Sequence, residues 1–464
     1  MWPPLVRNVL LPVHERLMRR GTFRYYRDLM ESQHWPRERL RALQLGKLRD
    51  LVAMALTKTA AYPALAKVDV SWRPESLDDL ARLPLLDKAT LSAHREGLTN
   101  RDVPGGPIRY NTGGSSGEPL IFYFDKRRQA FDKAARMRSH EWFGVRPGDR
   151  EAYLWGSPVE LSKQDRLKNL RDALTNEMLL SAFDLSEKSV GLFVERLRRF
   201  RPRCIFGYPS SIALLCEMAG RAGHRLSDIG VQVVFSTAEV LYDHQKAVIS
   251  KAFGGVPVAN GYGSREGGFI AHECPAGRMH VTDENVIVEF LKDGRPAAPG
   301  EDGEIVVTHL DNHAMPFIRY RTGDIGRPSD EVCPCGRGLA VMEVVKGRTT
   351  DFIVTPDGRW MHGLALIYAV RDVPGVRQFQ IRQDAPDVVR VLLACDGTFP
   401  ADGERTIRDG LARRLGDGIG VQVERVSEIP PERSGKFRYV ISEVARQQQA
   451  AARPAEPDPG LTDA

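Results

Sequence analysis

Between Leu5 and about Ala61 the apolar residues fall three and four apart, as in Leu40, Leu43, Leu48, Leu51, Val52 and Ala55, and that spacing predicts a largely helical start. Gly46-Lys47 lies inside the pattern and reads as a helix-surface lysine, not a phosphate ligand. Further helices are expected over 87–96 and 127–143, with a turn at Arg146-Pro147-Gly148-Asp149. From Glu151 to Gly263 short apolar runs at 152–155, 204–207 and 231–236 alternate with amphipathic stretches at 190–200, 212–219 and 243–253. This is the rhythm of an α/β fold, in which ligands collect where loops leave the carboxyl ends of strands. Beyond Met279 strands dominate, at 286–290 and 304–307, and after Lys346 a fresh mixed pattern of about 100 residues follows, a small-domain length. The expected organisation is α/β: a large multi-subdomain unit over 1–345 with a helical N-terminal extension, and a small α+β unit over 346–445. The stretch 446–464, rich in Gln, Ala, Pro and Asp, is expected to be a disordered tail.

One stretch breaks this patterning: Tyr110-Asn111-Thr112-Gly113-Gly114-Ser115-Ser116-Gly117-Glu118-Pro119. It has almost nothing to pack, and with 107–110 before it and the aromatic run 120–124 after it, it reads as a loop between two strands. Glycines let main-chain N–H groups converge on one point, and Thr112, Ser115 and Ser116 add short hydroxyls, which describes an anion cradle. A plain Gly/Ser surface turn fits the stretch alone equally well. A kinase-type phosphate loop would carry Lys and Ser/Thr after its last glycine, but Glu118 and Pro119 follow Gly117. If the loop holds a polyphosphate, the charge must be met by a Lys or Arg from elsewhere and by a metal.

Length and composition narrow the setting. At 464 residues the chain exceeds one hydrophobic core, and 42% hydrophobic with 27% charged residues is ordinary globular composition. No apolar run approaches a membrane span, and the first twenty residues do not read as a signal peptide, so a cytoplasmic site of action is expected. The net charge of +6 is concentrated: residues 1–50 hold eleven Lys or Arg against five acids, and the remainder is balanced. That distribution argues against nucleic acid as a partner. The basic, partly amphipathic start reads most simply as a solvated helical face; the other reading is a peripheral contact with an anionic membrane surface or a polysaccharide-assembly system.

Three loops of the α/β region carry candidate chemistry: Gly207-Tyr208-Pro209-Ser210, Ser236-Thr237-Ala238-Glu239, and Asn260 to Gly268 around Tyr262, Gly263 and Glu266. Small residues beside one acid suit a flat base lying on backbone, with Glu266 free to bind a hard cation such as Mg²⁺. Tyr208 reads equally well as a packing aromatic. Later, Arg321-Thr322-Gly323-Asp324 offers a carboxylate beside a Thr-Gly turn, as ribose hydroxyls require. Ser434-Gly435-Lys436 supplies a lysine behind a glycine, the missing cation. Cys274 and His280 on one turn, with Cys333 and Cys335 on another, suit a tetrahedral structural Zn²⁺, although a single intervening residue is tighter than usual zinc spacing. Cys204, Cys216 and Cys395 lie in apolar runs and read as core.

Taken in order over about 35–445, these motifs resemble the acyl-adenylate-forming ligases, most closely the phenylacetate-CoA ligase branch with its relatives from polysaccharide gene clusters. The resemblance implies a large adenylation domain with a mobile small domain, using ATP, Mg²⁺ and coenzyme A on a carboxylic acid. Thr112, Gly113, Gly114, Ser115, Ser116 and Gly117 would hold the β- and γ-phosphates. Ala238 and Glu239 would border the adenine, Tyr262 would stack on it beside Gly263, and Glu266 would bind Mg²⁺. Asp324 would take the ribose hydroxyls with Arg348 assisting near the hinge, and Lys436 would bridge the carboxylate and α-phosphate. The acyl pocket is expected around Tyr208, Pro209 and Ser236. Arg265 stands where the family usually has a hydroxyl residue, and Leu120 follows the loop's proline where many relatives have Lys. The function implied is carboxylate-CoA ligation. The alternatives are transfer to a carrier protein or sugar amine, and a non-catalytic nucleotide- or acyl-binding assembly protein.

Overall fold

Proline shapes the first element. Pro12 has no N–H to donate, and α1 absorbs it with a π-helical turn, running through Pro3–Leu5, Val6–Leu10 and Leu11–Leu17 with the Leu11 N–H reaching back to the Val6 carbonyl. In α2 (Thr22–Ser32) and α3 (Arg37–Lys58) the three-and-four spacing is realised: α3 buries Leu48, Leu51, Val52 and Ala55 in a core with Leu310, Phe317 and Tyr320. Lys47 departs from its expected surface role. Its ammonium group is half-buried and donates to Asp311 Oδ2 and the Glu284 carbonyl, each at 2.7 Å, oxygens of the turns just before Val286–Lys292 and just after Gly303–His309.

The computed structural model describes residues 1–111, 120–155, 171–182, 185, 188–348, 352–356, 360–362, 364–416, 418–430, 438–445 and 447. They form two units, one over Met1–Lys346 and the other over the described residues from Gly347 onward. Among them no helix is long and apolar enough to cross a membrane.

In the first unit β1 (Ile108–Asn111) and β2 (Ile121–Phe124) pair antiparallel and flank the glycine-rich stretch. After α4 (Lys126–Glu141) come β3 (Glu151–Trp155), β4 (Glu177–Ser181), α5 (Val190–Phe200), β5 (Cys204–Gly207), α6 (Pro209–Arg221), β6 (Val233–Thr237), α7 (Asp243–Ala252) and β7 (Val258–Ser264). The strands then run on as β8 (Gly268–Glu273), β9 (Met279–Val281), β10 (Val286–Lys292), β11 (Arg295–Pro296), β12 (Gly303–His309), β13 (Tyr320–Ser329) and β14 (Val341–Arg348). Twelve strands form one sheet in the order β11-β10-β12-β13-β14-β9-β8-β7-β6-β5-β3-β4. Its β4-β3-β5-β6-β7 half is parallel, and from β7 to β8 it turns antiparallel. Helices connect the parallel strands because such strands need long crossovers. In α5 Val190, Phe193, Val194 and Leu197 fall on one face and pack with Ile205 and Ile212.

Two local expectations are corrected. Asn260 to Ser264 is strand, not loop, so the turn after β7 shrinks to Arg265-Glu266-Gly267. Thr322-Gly323 is not a free turn either, since β13 runs through it: Glu304 pairs with Ile325 but Val306 pairs with Arg321, so β13 carries two surplus residues as a bulge, with Gly323 at φ +76°. Cys204 and Cys216 are buried as expected, whereas Cys395 at the end of its strand is only half-buried.

In the second unit β15 (Phe352–Val354) and β16 (Trp360–His362) form a hairpin. After α8 (Leu364–Arg371), β17 (Val376–Ala385) and β18 (Val388–Cys395) pair antiparallel. Past α9 (Gly403–Leu415), β19 (Gly420–Arg425) joins β18 and β20 (Val440–Ser442) joins β17, both parallel.

Candidate active site

Register builds the site. Gly207, Ser236 and Asn260 lie opposite one another on β5, β6 and β7, about 5 Å apart from strand to strand, so the first two candidate loops leave at one level while β7 runs on to Ser264 before the third begins. Gly207 is dictated by closeness, since a Cβ there would come within 2.3 Å of the Leu154 carbonyl oxygen. Next to it, buried Tyr208 stacks on Trp155 with ring centroids 4.2 Å apart. Pro209 opens α6, and Glu239 Oε2 accepts from the Ser210 N–H at 3.2 Å, an acid at a helix N-terminus that ties the second loop to the first. Ala238 holds φ +71°, a conformation that costs a residue with a Cβ about 1–3 kcal/mol. Ser236 is fully buried and its hydroxyl has no partner among the described residues.

The β7–β8 turn that carries Glu266 is fixed from below by residues the motifs did not single out. Arg128 of α4 donates to the Arg265 carbonyl at 2.6 Å, and Gly267 N–H donates to Ser264 Oγ at 2.8 Å. Gly268, at φ +72°, leaves room for Asp132, whose Oδ1 would lie 2.6 Å from a Cβ there. Burial would raise the Asp132 carboxyl, but His309 and Arg128 hold it below the ordinary carboxylate range, so a negative charge is fixed under the turn. Arg265 itself reaches across to β1: its guanidinium donates to the Asn111 carbonyl at 2.9 Å and lies 5.3 Å from the centre of the Tyr110 ring. Its side chain therefore clasps the strand that leads into the glycine-rich stretch.

Tyr262 is the junction with the antiparallel half. Its hydroxyl donates to Asp324 Oδ2 at 2.8 Å and lies 3.4 Å from Thr322 Oγ1, which in turn donates to the Ile305 carbonyl at 2.8 Å. The β13 bulge aims both side chains at the β7 tyrosine, and Thr322 Oγ1 also accepts from the Asp324 N–H. The neighbouring Arg321 and Arg319 are occupied by Glu304 and Glu289. Tyr208, Pro209, Ser236, Ala238, Glu239, Tyr262, Gly263, Glu266 and Asp324 thus belong to the ends of β5 to β7 and the facing bulge. Thr112 to Gly117, Lys436 and the Arg348 side chain lie outside the described residues.

The cysteine–histidine group is elsewhere, at the opposite end of β8 from Gly268, about 17 Å along the strand. Cys274, His280, Cys333 and Cys335 place their ligand atoms within 4.8 Å of one another. Cys274 and Cys333 sulfurs are 3.6 Å apart, and Cys335 Sγ is 3.2 Å from His280 Nε2. A tetrahedral zinc with ordinary bond lengths spaces its ligand atoms about 3.6–3.8 Å apart; the Cys274–Cys333 pair stands at that spacing, and three thiols with one imidazole are the donor types of a structural zinc site. His280 Nδ1 faces the Leu339 carbonyl at 3.2 Å, which leaves Nε2 as the donor atom, and burial pushes the imidazole down to about 4, so the ring is neutral.

Comparison with known proteins agrees with this architecture. Residues 353–443 match the CapK C-terminal domain. The chain is similar to the phenylacetate-coenzyme A ligase of Thermus thermophilus, 26% identical over 455 residues that span 89% of this chain and 98% of that one. Protein CapK of Staphylococcus aureus is 23% identical over 347 residues, 73% of this chain and 74% of its own length. Among solved structures, 2-hydroxyisobutyryl-CoA ligase in the postadenylation state superposes with a TM-score of 0.71 at 20% identity, over 91% of this chain and 94% of that one. The chain is therefore a homologue of phenylacetate-coenzyme A ligase and of CapK, built on the fold of the acyl-adenylate-forming ligases.

Proposed function

We propose that this protein is an ATP-dependent ligase that activates a carboxylic acid as its acyl-adenylate and passes the acyl group to the thiol of coenzyme A. The observation that carries the proposal is the hydroxyl–carboxylate group of Tyr262, Thr322 and Asp324 facing the ends of β5 to β7, in a chain whose ligase relative extends over nearly its whole length. In this reading Asp324 accepts from the ribose hydroxyls with Arg348 assisting. Tyr262 stacks on the adenine, Gly263 lets it approach the backbone, and Ala238 and Glu239 border its edge. Thr112 to Gly117 bind the phosphates, and Tyr208, Pro209 and Ser236 receive the acyl group. A carboxylate oxygen bonds to the α-phosphorus, and pyrophosphate leaves with the electron pair of the bond that breaks. The thiolate sulfur then bonds to the acyl carbon and AMP leaves. Lys436 meets the charge that develops at the α-phosphate, and Glu266 is the residue that would hold Mg²⁺, which neutralises phosphate charge when bound. Cys274, His280, Cys333 and Cys335 would hold a structural zinc.

Carboxylate-dependent exchange of pyrophosphate into ATP tests the proposal with a panel of aryl and aliphatic acids. Exchange is expected with at least one, and Lys436→Ala should lower it by about 10²–10³-fold while ATP binding is kept. Absence of exchange across the whole panel overturns the reading. The CapK match over 353–443 favours a second acceptor, a carrier-protein thiol or a sugar amine in surface-polysaccharide synthesis. Acyl transfer to such an acceptor with coenzyme A omitted would establish it; turnover that strictly requires coenzyme A would exclude it.

A further inference from the structure

The first helix has two faces of opposite purpose. Its inner face is clamped to the body. Val6 and Leu11 are buried, and the Arg7 guanidinium donates to the Pro147 carbonyl at 2.8 Å and to Asp149 at 3.2 Å. The turn beneath is so close that a Cβ on Gly148, at φ +85°, would meet the Arg7 nitrogen at 2.8 Å. Glu15, on the same inner face, is bonded to Thr22, Arg20 and Lys133. The outer face has nothing over it among the described residues. Leu5, Val9, Val13 and Leu17 recur every fourth residue with Trp2 and Met18 at the ends, and Val13, Trp2 and Leu17 are 51%, 68% and 78% exposed. An α-helix turns slightly past a full circle in four residues and a π turn falls short of it, so the π-helical segment Val6–Leu10 keeps this row from winding off the face.

We propose that α1 docks the protein onto the surface of an anionic phospholipid bilayer, lying in the interface with the Leu5–Leu17 row in the acyl boundary. The charges around the row choose this occupant. Arg16 and Arg19 at the end of α1 are exposed, whereas the one acid of α1, Glu15, is 2% exposed and consumed by its own cations; on α2 Arg24 pairs with the exposed Asp28. An apolar row that ends in exposed guanidinium groups, with no accessible acid on its own helix, is what an interfacial helix on anionic lipid requires. A two-fold contact through this row with the helices parallel would bring the same arginines against one another, so only an antiparallel pairing of two copies competes with lipid, and the test below separates it. The rigid seating of the inner face means that no ordering of α1 opposes binding. The inference is independent of the chemistry assigned to the active site.

Flotation of the full chain with vesicles tests it, using phosphatidylcholine alone and phosphatidylcholine with about 30% phosphatidylglycerol. Binding to the anionic vesicles that weakens with added salt is expected. Serine at Leu5, Val9, Val13 and Leu17 together should lower the partition coefficient at least about tenfold. Arg16→Glu with Arg19→Glu should abolish the preference for anionic over neutral vesicles. All these side chains face solvent, so melting temperatures should match the unsubstituted protein and separate lost docking from lost folding. The proposal is overturned if the chain does not float with anionic vesicles, if the serine variant floats equally well, or if the row instead mediates a dimer that the serine variant converts to monomer.

Discussion

Tyr262 serves two partners. In the proposed reading its ring stacks on adenine, while its hydroxyl holds the Asp324 carboxylate at 2.8 Å. Removing only the hydroxyl separates the two. Tyr262→Phe keeps the stack and loses one hydrogen bond to a charged acceptor, worth about 1–3 kcal/mol, so the KM for ATP should rise roughly five- to a hundredfold with kcat little changed. An unchanged KM would mean that Asp324 needs no such anchor to meet the ribose. Arg265 shows where single-residue reading stops. From the sequence it was a missing hydroxyl, but in the structure its guanidinium spans to Asn111, 154 positions earlier, and no local spacing encodes such a contact. Arg128 and Asp132 were unreadable for the same reason: in an amphipathic helix they resemble any solvent-facing charges, and only the approach of Gly268 gives them a role. Lys47 is misread in the same direction, since helical periodicity tells which residues face inward but not that Asp311 and the Glu284 carbonyl lie there.

At the scale of elements, periodic apolar runs were legible because burial on one face imposes a repeat of two or 3.6 on any chain. The α/β alternation from β3 to β7 and the pair of strands flanking the glycine-rich stretch follow from that. The β13 bulge did not, because Thr-Gly signals a turn locally, and only pairing with β12 decides that the chain continues as strand. Helix α1 makes a testable case of element anchoring. Burial alone would raise the Glu15 carboxyl, yet Lys133, Thr22 and Arg20 hold it at about 2, against an ordinary value of 4.5. A carboxyl depressed in the folded state adds stability above its ordinary value and gives it up as pH falls through the folded one. Amide protection in α1 should therefore be flat at neutral pH, erode as pH falls below about 4.5 and lose the Glu15 contribution near pH 2, with Glu15→Gln removing that dependence. Protection that is constant down to pH 2 would show that the apolar inner face alone seats the helix.

For the whole molecule, the zinc assignment has consequences beyond its four ligands. Cys274 and Cys333, one on each turn, are 59 positions apart in sequence, and they share a buried cluster with Val341 against which Trp142 packs. A metal there would cross-link β8 and β9 to the chain entering β14. Purified protein should contain about one zinc per chain, and its removal by a chelator should lower the melting temperature by roughly 5 °C or more, as should Cys335→Ser. Metal-free protein of unchanged stability would reduce the tetrad to packing. The cysteine spacing was visible in the sequence, but convergence of the two turns depends on strand order, which no count of intervening residues supplies.

Position 207 sets a limit on how this scaffold can change its substrate. Because anything beyond a hydrogen atom there would collide with a neighbouring peptide oxygen, the spacing of β3 and β5 is frozen beneath the Trp155–Tyr208 stack. A descendant that needs more room at that edge has to trim one of the two rings, so divergence among such chains should be written in the aromatics and not in the glycine that supports them.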